Sequence, residues 1–367
     1  DGTLTAADTF DGGDGVDTVK VNTGNITAVS VFGGLSNVEV IEMSTAHTIS
    51  LDANISATTF DFGTNETAQI LNLLDGYTAA TTVKLGADAT NTDKVVNTAN
   101  VDLTVTANLT SYDEGTSIAG GTGTDSLVIL NTAAGQVDLT ATTGVDSITF
   151  VDYTAGVDAE LDTQSYTLDP TFKAKVLTVD ASSMDAGETF TLTGAATVTK
   201  MDVTAGGGDD RLTLGTLADT VDGGAGNDSV TGTAGANNIT LGAGNDTLVA
   251  GTGGEVVDGG AGNDLFTLAG NLNSADTIDG GDGTDTLTIT SGITTGSVAG
   301  GLSNIEIIEP LAAMTIVANA PLGGATVFDF SDESDQVLTL TSAAAGGTFE
   351  GPVTVNLSKL AGGGQDD

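Results

Sequence analysis

The chain has 367 residues, of which 50 are acidic and only 8 are basic, so its formal net charge is −42. This charge repels nucleic-acid phosphates and anionic lipid headgroups, which argues against nucleic-acid partners and membrane insertion and favours cations as partners. Cysteine and tryptophan are absent, which excludes disulfides, thiolate metal sites and a core of stacked tryptophan rings. Thr, Val, Ile, Leu and Gly dominate instead, so we predict a folded all-β chain with thin cores made of short strands.

The first predicted module, residues 1–110, alternates Thr-, Val-, Ile- and Leu-rich segments with Gly, Asn and Asp turns. This alternation is typical of the coils of a parallel β-helix. Near its start lies one loop rich in Gly and Asp, GGDGVD at residues 12–17. Residues 4–42 recur, with one gap, as residues 272–309, so the module is predicted to be one copy of a tandem unit.

The second predicted module, residues 111–204, is a divergent copy of the same kind of unit. It also contains a single loop rich in Gly, GGTGTD at residues 120–125. Its strand-like segments again carry β-branched residues between Gly and Asp turns, so we predict β-solenoid coils here as well.

The third predicted module, residues 205–288, contains the strongest signal in the sequence. Residues 205–267 divide without a gap into seven blocks of nine: AGGGDDRLT, LGTLADTVD, GGAGNDSVT, GTAGANNIT, LGAGNDTLV, AGTGGEVVD and GGAGNDLFT. Position six of each block is Asp, Asn or Glu, and position eight is always apolar. A period of nine over seven blocks predicts a solenoid.

One block has a simple physical interpretation. Its first six residues must turn tightly, which needs the positive φ angles that glycine adopts without strain, and its last three form a minimal strand with one side chain pointing inward. Two blocks make one coil of eighteen residues, so alternate loops stack at about 4.8 Å. Stacked loops bring carboxylates and turn carbonyls together, and such hard oxygen ligands suit Ca²⁺.

Sorting the blocks by parity predicts two unequal stacks of loops. One stack has aspartate at every position six, namely Asp210, Asp228, Asp246 and Asp264, and is rejoined by Asp285. The opposite stack has Asp219, Asn237, Glu255 and Asp276, the last of these after an insertion of three residues. We expect up to four ions on the all-aspartate side and few or none opposite.

The fourth predicted module, residues 289–367, returns to the longer coils and ends in AGGGQDD, which resembles the start of the first nonapeptide block. A new block therefore begins where the sequence stops. We expect the chain to be a piece of a longer tandem array.

The nonapeptides resemble the GGxGxDxux repeats of RTX proteins. The best matches lie at residues 223–228 and 259–264, and residues 280–285, 12–17 and 120–125 also fit. The resemblance implies an all-β, parallel β-roll or β-helix solenoid that binds Ca²⁺ in its loops. The implied calcium-site residues of the roll are Gly206, Gly208, Asp210, Gly223, Gly224, Ala225, Gly226, Asn227, Asp228, Gly242, Gly244, Asp246, Gly259, Gly260, Ala261, Gly262, Asn263, Asp264, Gly280, Asp282 and Asp285. Those of the two single loops are Gly12, Asp14, Asp17, Gly120, Thr122 and Asp125.

No catalytic constellation is visible in the sequence. His47 is the only histidine, so a zinc motif with two histidines and a His-rich metal site are both excluded within it, and no Ser-His-Asp triad is expected. We expect His47 to be an ordinary strand or turn residue and the chain not to be an enzyme.

RTX loops occur in bacterial toxins, proteases, lipases, adhesins and surface-layer proteins, so the resemblance leaves several functions open. The interleaving of roll and longer modules is most similar to a surface-layer protein. We therefore expect an extracellular protein, exported by type I secretion, that forms a homo-oligomer or lattice and uses a cell-surface polysaccharide as anchor. The alternatives are a calcium-stiffened adhesin or biofilm protein and the non-catalytic repeat region of a secreted enzyme or toxin.

Overall fold

The computed structural model describes residues 7–21, 32–43, 48–63, 68–86, 92–99, 101–108, 116–131, 135–139, 141–152, 163–167, 176–194, 200–268, 275–290, 301–310, 315–318, 326–329, 337–340 and 353–356. His47 lies outside these residues. Within them the chain forms 34 β-strands of two to six residues. The strands pair in parallel, which confirms the predicted all-β solenoid. No helix in the described part of the chain is long and apolar enough to cross a membrane.

The chain divides into two compact units, residues 1–185 and residues 186–367. The four module boundaries predicted from the sequence stay predictions. The strands of the first unit are β1 (Phe10–Asp11), β2 (Thr18–Val21), β3 (Leu35–Ser36), β4 (Val40–Met43), β5 (Thr48–Leu51), β6 (Thr59–Asp61), β7 (Ile70–Leu73), β8 (Thr81–Lys84), β9 (Lys94–Asn97), β10 (Leu103–Asn108), β11 (Ser117–Ala119), β12 (Ser126–Asn131), β13 (Gly135–Asp138), β14 (Thr142–Thr143), β15 (Ser147–Asp152), β16 (Thr163–Thr167) and β17 (Val176–Asp180).

The first unit is built on two main rows of strands. One row has the order β2-β4-β6-β8-β10-β12-β15-β17, and the other has the order β14-β11-β9-β7-β5. Side chains alternate between buried and half-exposed along most of these strands, as the pleat of a sheet with one covered face requires. The fully buried residues Ile41, Phe60 and Val83 follow one another in register across neighbouring strands, so the core is a stack of single apolar side chains.

The second unit contains the nonapeptide roll. Its strands are β18 (Thr189–Thr193), β19 (Lys200–Thr204), β20 (Arg211–Thr213), β21 (Thr220–Asp222), β22 (Ser229–Thr231), β23 (Asn238–Ala243), β24 (Thr247–Ala250), β25 (Val256–Ala261), β26 (Leu265–Leu268), β27 (Thr277–Asp279), β28 (Thr286–Ile289), β29 (Leu302–Ser303), β30 (Ile307–Pro310), β31 (Thr315–Ala318), β32 (Thr326–Asp329), β33 (Val337–Leu340) and β34 (Val353–Asn356). Their main rows are β19-β21-β23-β25-β27-β29 and β18-β20-β22-β24-β26-β28-β30-β32-β34.

Strand register in the roll follows the eighteen-residue coil that the sequence predicts. On one sheet Leu212 pairs with Val230 and Val230 pairs with Leu248, and on the other sheet Val221 pairs with Ile239. These residues occupy position eight of their blocks, and each is at most 2% exposed. The roll therefore has a thin, continuous apolar core between its two sheets, with the loops at the two edges.

Candidate calcium sites

The aspartates of the all-aspartate stack lie in a row at one edge of the roll. Each occupies position six, immediately before strands β20, β22, β24, β26 and β28, and all five are at most 2% exposed. The backbone N–H of each of the first four donates to Oδ1 of the aspartate in the next coil, at 2.8 Å from Asp210 to Asp228 and 2.7 Å from Asp228 to Asp246. The same bonds continue through Asp264 to Asp285 at 2.8 Å each. This ladder aligns the carboxylates along the roll.

The second carboxylate oxygen of these residues has no protein partner in most of the row. Oδ2 of Asp228, Asp246, Asp264 and Asp285 is buried without a hydrogen bond. Only the first in the row differs, because Oδ2 of Asp210 accepts the N–H of Gly206 at 3.1 Å. An ionised carboxylate buried without a counter-charge is costly, so these oxygens fit a bound cation.

The pKa values of these carboxylates agree with a bound cation at this edge of the roll. Desolvation by burial, with a smaller contribution from neighbouring carboxylates, raises the pKa of Asp228 to about 7 and the pKa values of Asp210 and Asp264 to about 6. Burial also raises the pKa values of Asp246 and Asp285. The row therefore disfavours its own charged form until a positive charge is present.

Turn carbonyls approach the unpartnered carboxylate oxygens at position one of the loops. A Cβ atom placed on Gly223 would lie 2.5 Å from the carbonyl oxygen of Leu241 and 2.8 Å from Oδ2 of Asp228. A Cβ atom on Gly259 would lie 2.4 Å from the carbonyl oxygen of Gly280 and 2.6 Å from Oδ2 of Asp264. A side chain at residue 223 or 259 would fill this space, so glycine keeps a gap bordered by a carboxylate and a carbonyl oxygen in these two loops.

Backbone carbonyls must supply much of the coordination. Within the described residues no group of three or more His, Cys, Asp or Glu side chains is placed to hold a metal. Ca²⁺ takes six to eight oxygen ligands and accepts carbonyls readily, whereas a site built from side chains alone is not available here. The donor set is therefore suited to Ca²⁺ and not to zinc, which prefers nitrogen and sulfur.

The side chains predicted at positions three and five lie on the outside of the loops. Ala225, Asn227, Ala261, Asn263 and Asp282 are exposed. The asparagines form a second, outer ladder, in which the N–H of Asn245 donates to Oδ1 of Asn227 at 2.8 Å and that of Asn263 donates to Asn245 at 2.7 Å. Carbonyls at position three accept N–H groups of the preceding coil. Any role of these residues in calcium binding therefore rests on their backbone oxygens.

The opposite stack repeats the ladder, and Oε1 of Glu255 is buried and unpartnered there too, but its corner at Gly232 is lined by nitrogen. The N–H of Asp219 donates to Oδ1 of Asn237 at 2.9 Å, and that of Asn237 donates to Oε2 of Glu255 at 2.9 Å. A Cβ atom on Gly232 would lie nearest the backbone nitrogen of Gly251, at 3.1 Å, and Nδ2 of Asn237, at 3.4 Å. Nitrogen donors at this corner repel a cation, which supports the unequal stacks expected from the sequence.

The two single loops of the first unit have the geometry of the all-aspartate stack. A Cβ atom on Gly120 would lie 2.2 Å from the carbonyl oxygen of Gly144 and 2.8 Å from Oδ2 of Asp125. A Cβ atom on Gly12 would lie 2.1 Å from the carbonyl oxygen of Asn37. Oδ2 of Asp17 and Oδ2 of Asp125 are buried without a partner, and burial raises the pKa of Asp125 to about 7. The side chains of Asp14 and Thr122 are exposed, like their equivalents in the roll.

Fold and loops together define a parallel β-solenoid with stacked, aspartate-lined calcium loops. The family model of the RTX calcium-binding nonapeptide repeat matches four segments of the chain, residues 4–25, 204–239, 231–266 and 272–292. These segments are RTX repeats, and RTX repeats bind Ca²⁺. The loop at residues 120–125 lies outside the matched segments. No curated protein and no solved structure matches the chain.

The predicted inequality of the two stacks gives different expected outcomes for two matched substitutions. Asp246→Ala removes a buried carboxylate between two loops of the all-aspartate stack, so we expect at least one fewer bound ion and a higher Ca²⁺ concentration at the folding midpoint. Asn237→Ala removes the same kind of ladder acceptor on the opposite stack, so its effect should be much smaller. Isothermal titration calorimetry and native mass spectrometry measure both quantities, and equal losses for the two variants would contradict the unequal stacks.

Proposed function

We propose that the chain is a structural, extracellular protein of the surface-layer type, which folds on Ca²⁺ and then self-assembles at the cell surface. One observation carries this proposal. Strands β26 and β28 of the roll continue in the same sheet into β30, β32 and β34 of the longer-coil module. Calcium bound in the roll would thus stiffen a sheet that continues into the longer coils. The RTX solenoid itself is a non-catalytic structural module.

The surface charge of the roll explains why assembly would require cations. Asp222 and Asp258 are exposed on the outer face of strands β21 and β25, and Asp258 lies in register with Asp279 of β27. Like charges on neighbouring strands repel, and two such faces repel each other more strongly at low ionic strength. Divalent cations between neighbouring copies would remove this repulsion.

The secretion route that is typical of RTX proteins supports the same function. RTX repeats typify proteins that leave the cell by type I secretion. The cytosol holds little free Ca²⁺, so the aspartate row stays uncompensated there and the chain stays loose enough to be exported. Outside the cell the repeats meet Ca²⁺ and fold. A cell-surface polysaccharide would then anchor the assembled protein.

The test is one Ca²⁺ titration of the protein. Folding is followed by circular dichroism, and assembly by light scattering and negative-stain electron microscopy. We expect folding to be complete at a lower Ca²⁺ concentration than assembly, because interior loops bind before the faces of neighbouring copies are bridged. Ordered sheets or tubes that form only with Ca²⁺ support the surface-layer function. A folded protein that stays monomeric at high concentration and saturating Ca²⁺ would overturn it and favour the calcium-stiffened adhesin.

A further inference from the structure

Each run of nonapeptide loops ends against a shorter corner of the following coil. Strand register places the six residues 280–285 opposite only three residues, 304–306, because Asp279 pairs with Ser303 and Thr286 pairs with Ile307. The single loops of the first unit end in the same way. We name these three segments the cap corners: residues 37–39, 144–146 and 304–306.

The first residue of each cap corner turns a carbonyl oxygen towards the preceding loop. Asn37, Gly144 and Asn304 have φ angles of 50°, 68° and 51°, a conformation that most residues avoid and that Asn and Gly tolerate. Nδ2 of Asn304 donates to Oδ1 of Asp279 at 2.7 Å, and Nδ2 of Asn37 donates to Oδ1 of Asp11 at the same distance. These bonds fix the backbone so that the carbonyl oxygen of Asn304 lies 2.0 Å from a Cβ atom placed on Gly280.

The second residue of each cap corner is apolar and buried. Val38, Val145 and Ile305 are 2%, 1% and 3% exposed. These buried apolar side chains offer no oxygen ligand, so the cap corner ends the row of sites.

The third residue of each cap corner is acidic and completes the ladder. Oε2 of Glu306 accepts the N–H of Asp285 at 2.8 Å, and Oδ2 of Asp146 accepts the N–H of Asp125 at 2.9 Å. Oε2 of Glu39 accepts the N–H of Asp17 at 2.9 Å. Glutamate makes this bond at residues 39 and 306 and aspartate makes it at residue 146, so either acidic side chain reaches the N–H across a corner of three residues.

The last aspartate before each cap corner retains a free oxygen. Asp125 and Asp285 are 0% exposed, and Oδ2 of each is buried without a hydrogen-bond partner. Oδ2 of Asp17 is buried and unpartnered as well. In each loop, this Oδ2 and the carbonyl oxygen of the cap corner both lie beside the first glycine of the loop. These glycines are Gly12, Gly120 and Gly280.

We infer that each cap corner completes a terminal Ca²⁺ site, so that one nonapeptide loop suffices to bind an ion when a cap corner follows it. The ligands on this chain are Oδ2 of Asp17, Asp125 or Asp285 and the carbonyl oxygen of Asn37, Gly144 or Asn304 respectively. The cap corners at residues 37–39, 144–146 and 304–306 lie outside the segments that match the RTX repeat. The inference rests on calcium binding by the loops and is independent of surface-layer assembly.

The test compares Asp125→Asn with Asp102→Asn in the full chain. Asparagine at 125 can still accept the N–H of Leu103, which Asp125 Oδ1 accepts at 2.9 Å, so the fold should persist while the carboxylate charge is lost. Asp102 is exposed, and its Oδ1 accepts the N–H of Thr124 at 2.8 Å, which makes it a control of equal charge change near the same loop. Native mass spectrometry at graded Ca²⁺ should show one fewer bound ion in Asp125→Asn and the wild-type number in Asp102→Asn.

Hydrogen exchange gives a second, local readout. Ca²⁺ should slow amide exchange at residues 143–147 in the wild type and in Asp102→Asn but not in Asp125→Asn. An unchanged ion count in Asp125→Asn, an equal loss in both variants, or exchange at residues 143–147 that does not respond to Ca²⁺ would overturn the inference. These measurements use unassembled protein in solution, so a failure of lattice formation does not affect them.

Discussion

Removal of Ca²⁺ with EGTA is expected to unfold the nonapeptide roll and to abolish most of its β-sheet signal in the far-ultraviolet circular dichroism spectrum. Without a cation, buried carboxylate oxygens of Asp228, Asp246 and Asp264 have no partner, and their row repels itself. The apolar core between the two sheets of the roll is thin and offsets only part of this repulsion.

The size of this loss of stability follows from the linkage between Ca²⁺ binding and folding. For extracellular modules with dissociation constants of about 0.1–1 mM, a Ca²⁺ concentration of about 10 mM adds ~1.4–2.7 kcal/mol to stability per site. Up to four such sites on the all-aspartate stack add ~6–11 kcal/mol, which is comparable to the entire stability of a typical domain. Calcium should therefore decide between the unfolded and folded states of the roll.

Mg²⁺ is the matched control for this prediction. It has the same charge but requires a smaller octahedral site and loses its water reluctantly, so it should not restore the spectrum. Recovery with Mg²⁺ would indicate that general charge screening folds the chain. A spectrum that does not change with EGTA would contradict calcium-coupled folding altogether.

Gly244→Ala is expected to destabilise the roll strongly. Gly244 has a φ of 143°, and a Cβ atom there would lie 1.7 Å from the carbonyl oxygen of Gly226 in the preceding coil. The positive φ alone costs an alanine about 1–2 kcal/mol, and the overlap forces apart two stacked loops. We expect a total above ~4 kcal/mol, in the range of the most damaging single substitutions. The measurement is the Ca²⁺ midpoint of folding, which should rise severalfold or disappear.

Gly13→Ala separates the cost of the positive φ from the cost of steric overlap between stacked loops. Gly13 also has a positive φ, 88°, but a Cβ atom there would have no neighbour within 4 Å. It should therefore cost the first unit only the backbone strain, about 1–2 kcal/mol in the free energy of unfolding, against more than ~4 kcal/mol for Gly244→Ala in the roll. If Gly244→Ala were as mild as Gly13→Ala, the close stacking of loops would not be the reason for glycine at position four.

The repeats determine by themselves the class of fold and the position of the core. Period nine, with an apolar residue at position eight, predicts the eighteen-residue coil and the buried row that includes Leu212, Val230 and Leu248, and the structure confirms both. These features were predictable because turn and strand preferences act over a few residues, and a repeat sums the same weak preference many times. Aspartate at position six likewise predicts which side chains line the loops.

Contacts between coils decided the features that the sequence did not reveal. The ladder from each position-six N–H to the next carboxylate, the nitrogen-lined corner at Gly232, and the cap corners all join residues that lie about 18–25 positions apart. In the sequence, Asn304 and Glu306 resemble ordinary turn and strand residues of a β-helix coil. Only the register of strands β27, β28, β29 and β30 shows that three residues face six, which places the carbonyl of Asn304 beside the unpartnered oxygen of Asp285. Distances across coils depend on that register, and a local sequence pattern does not contain it.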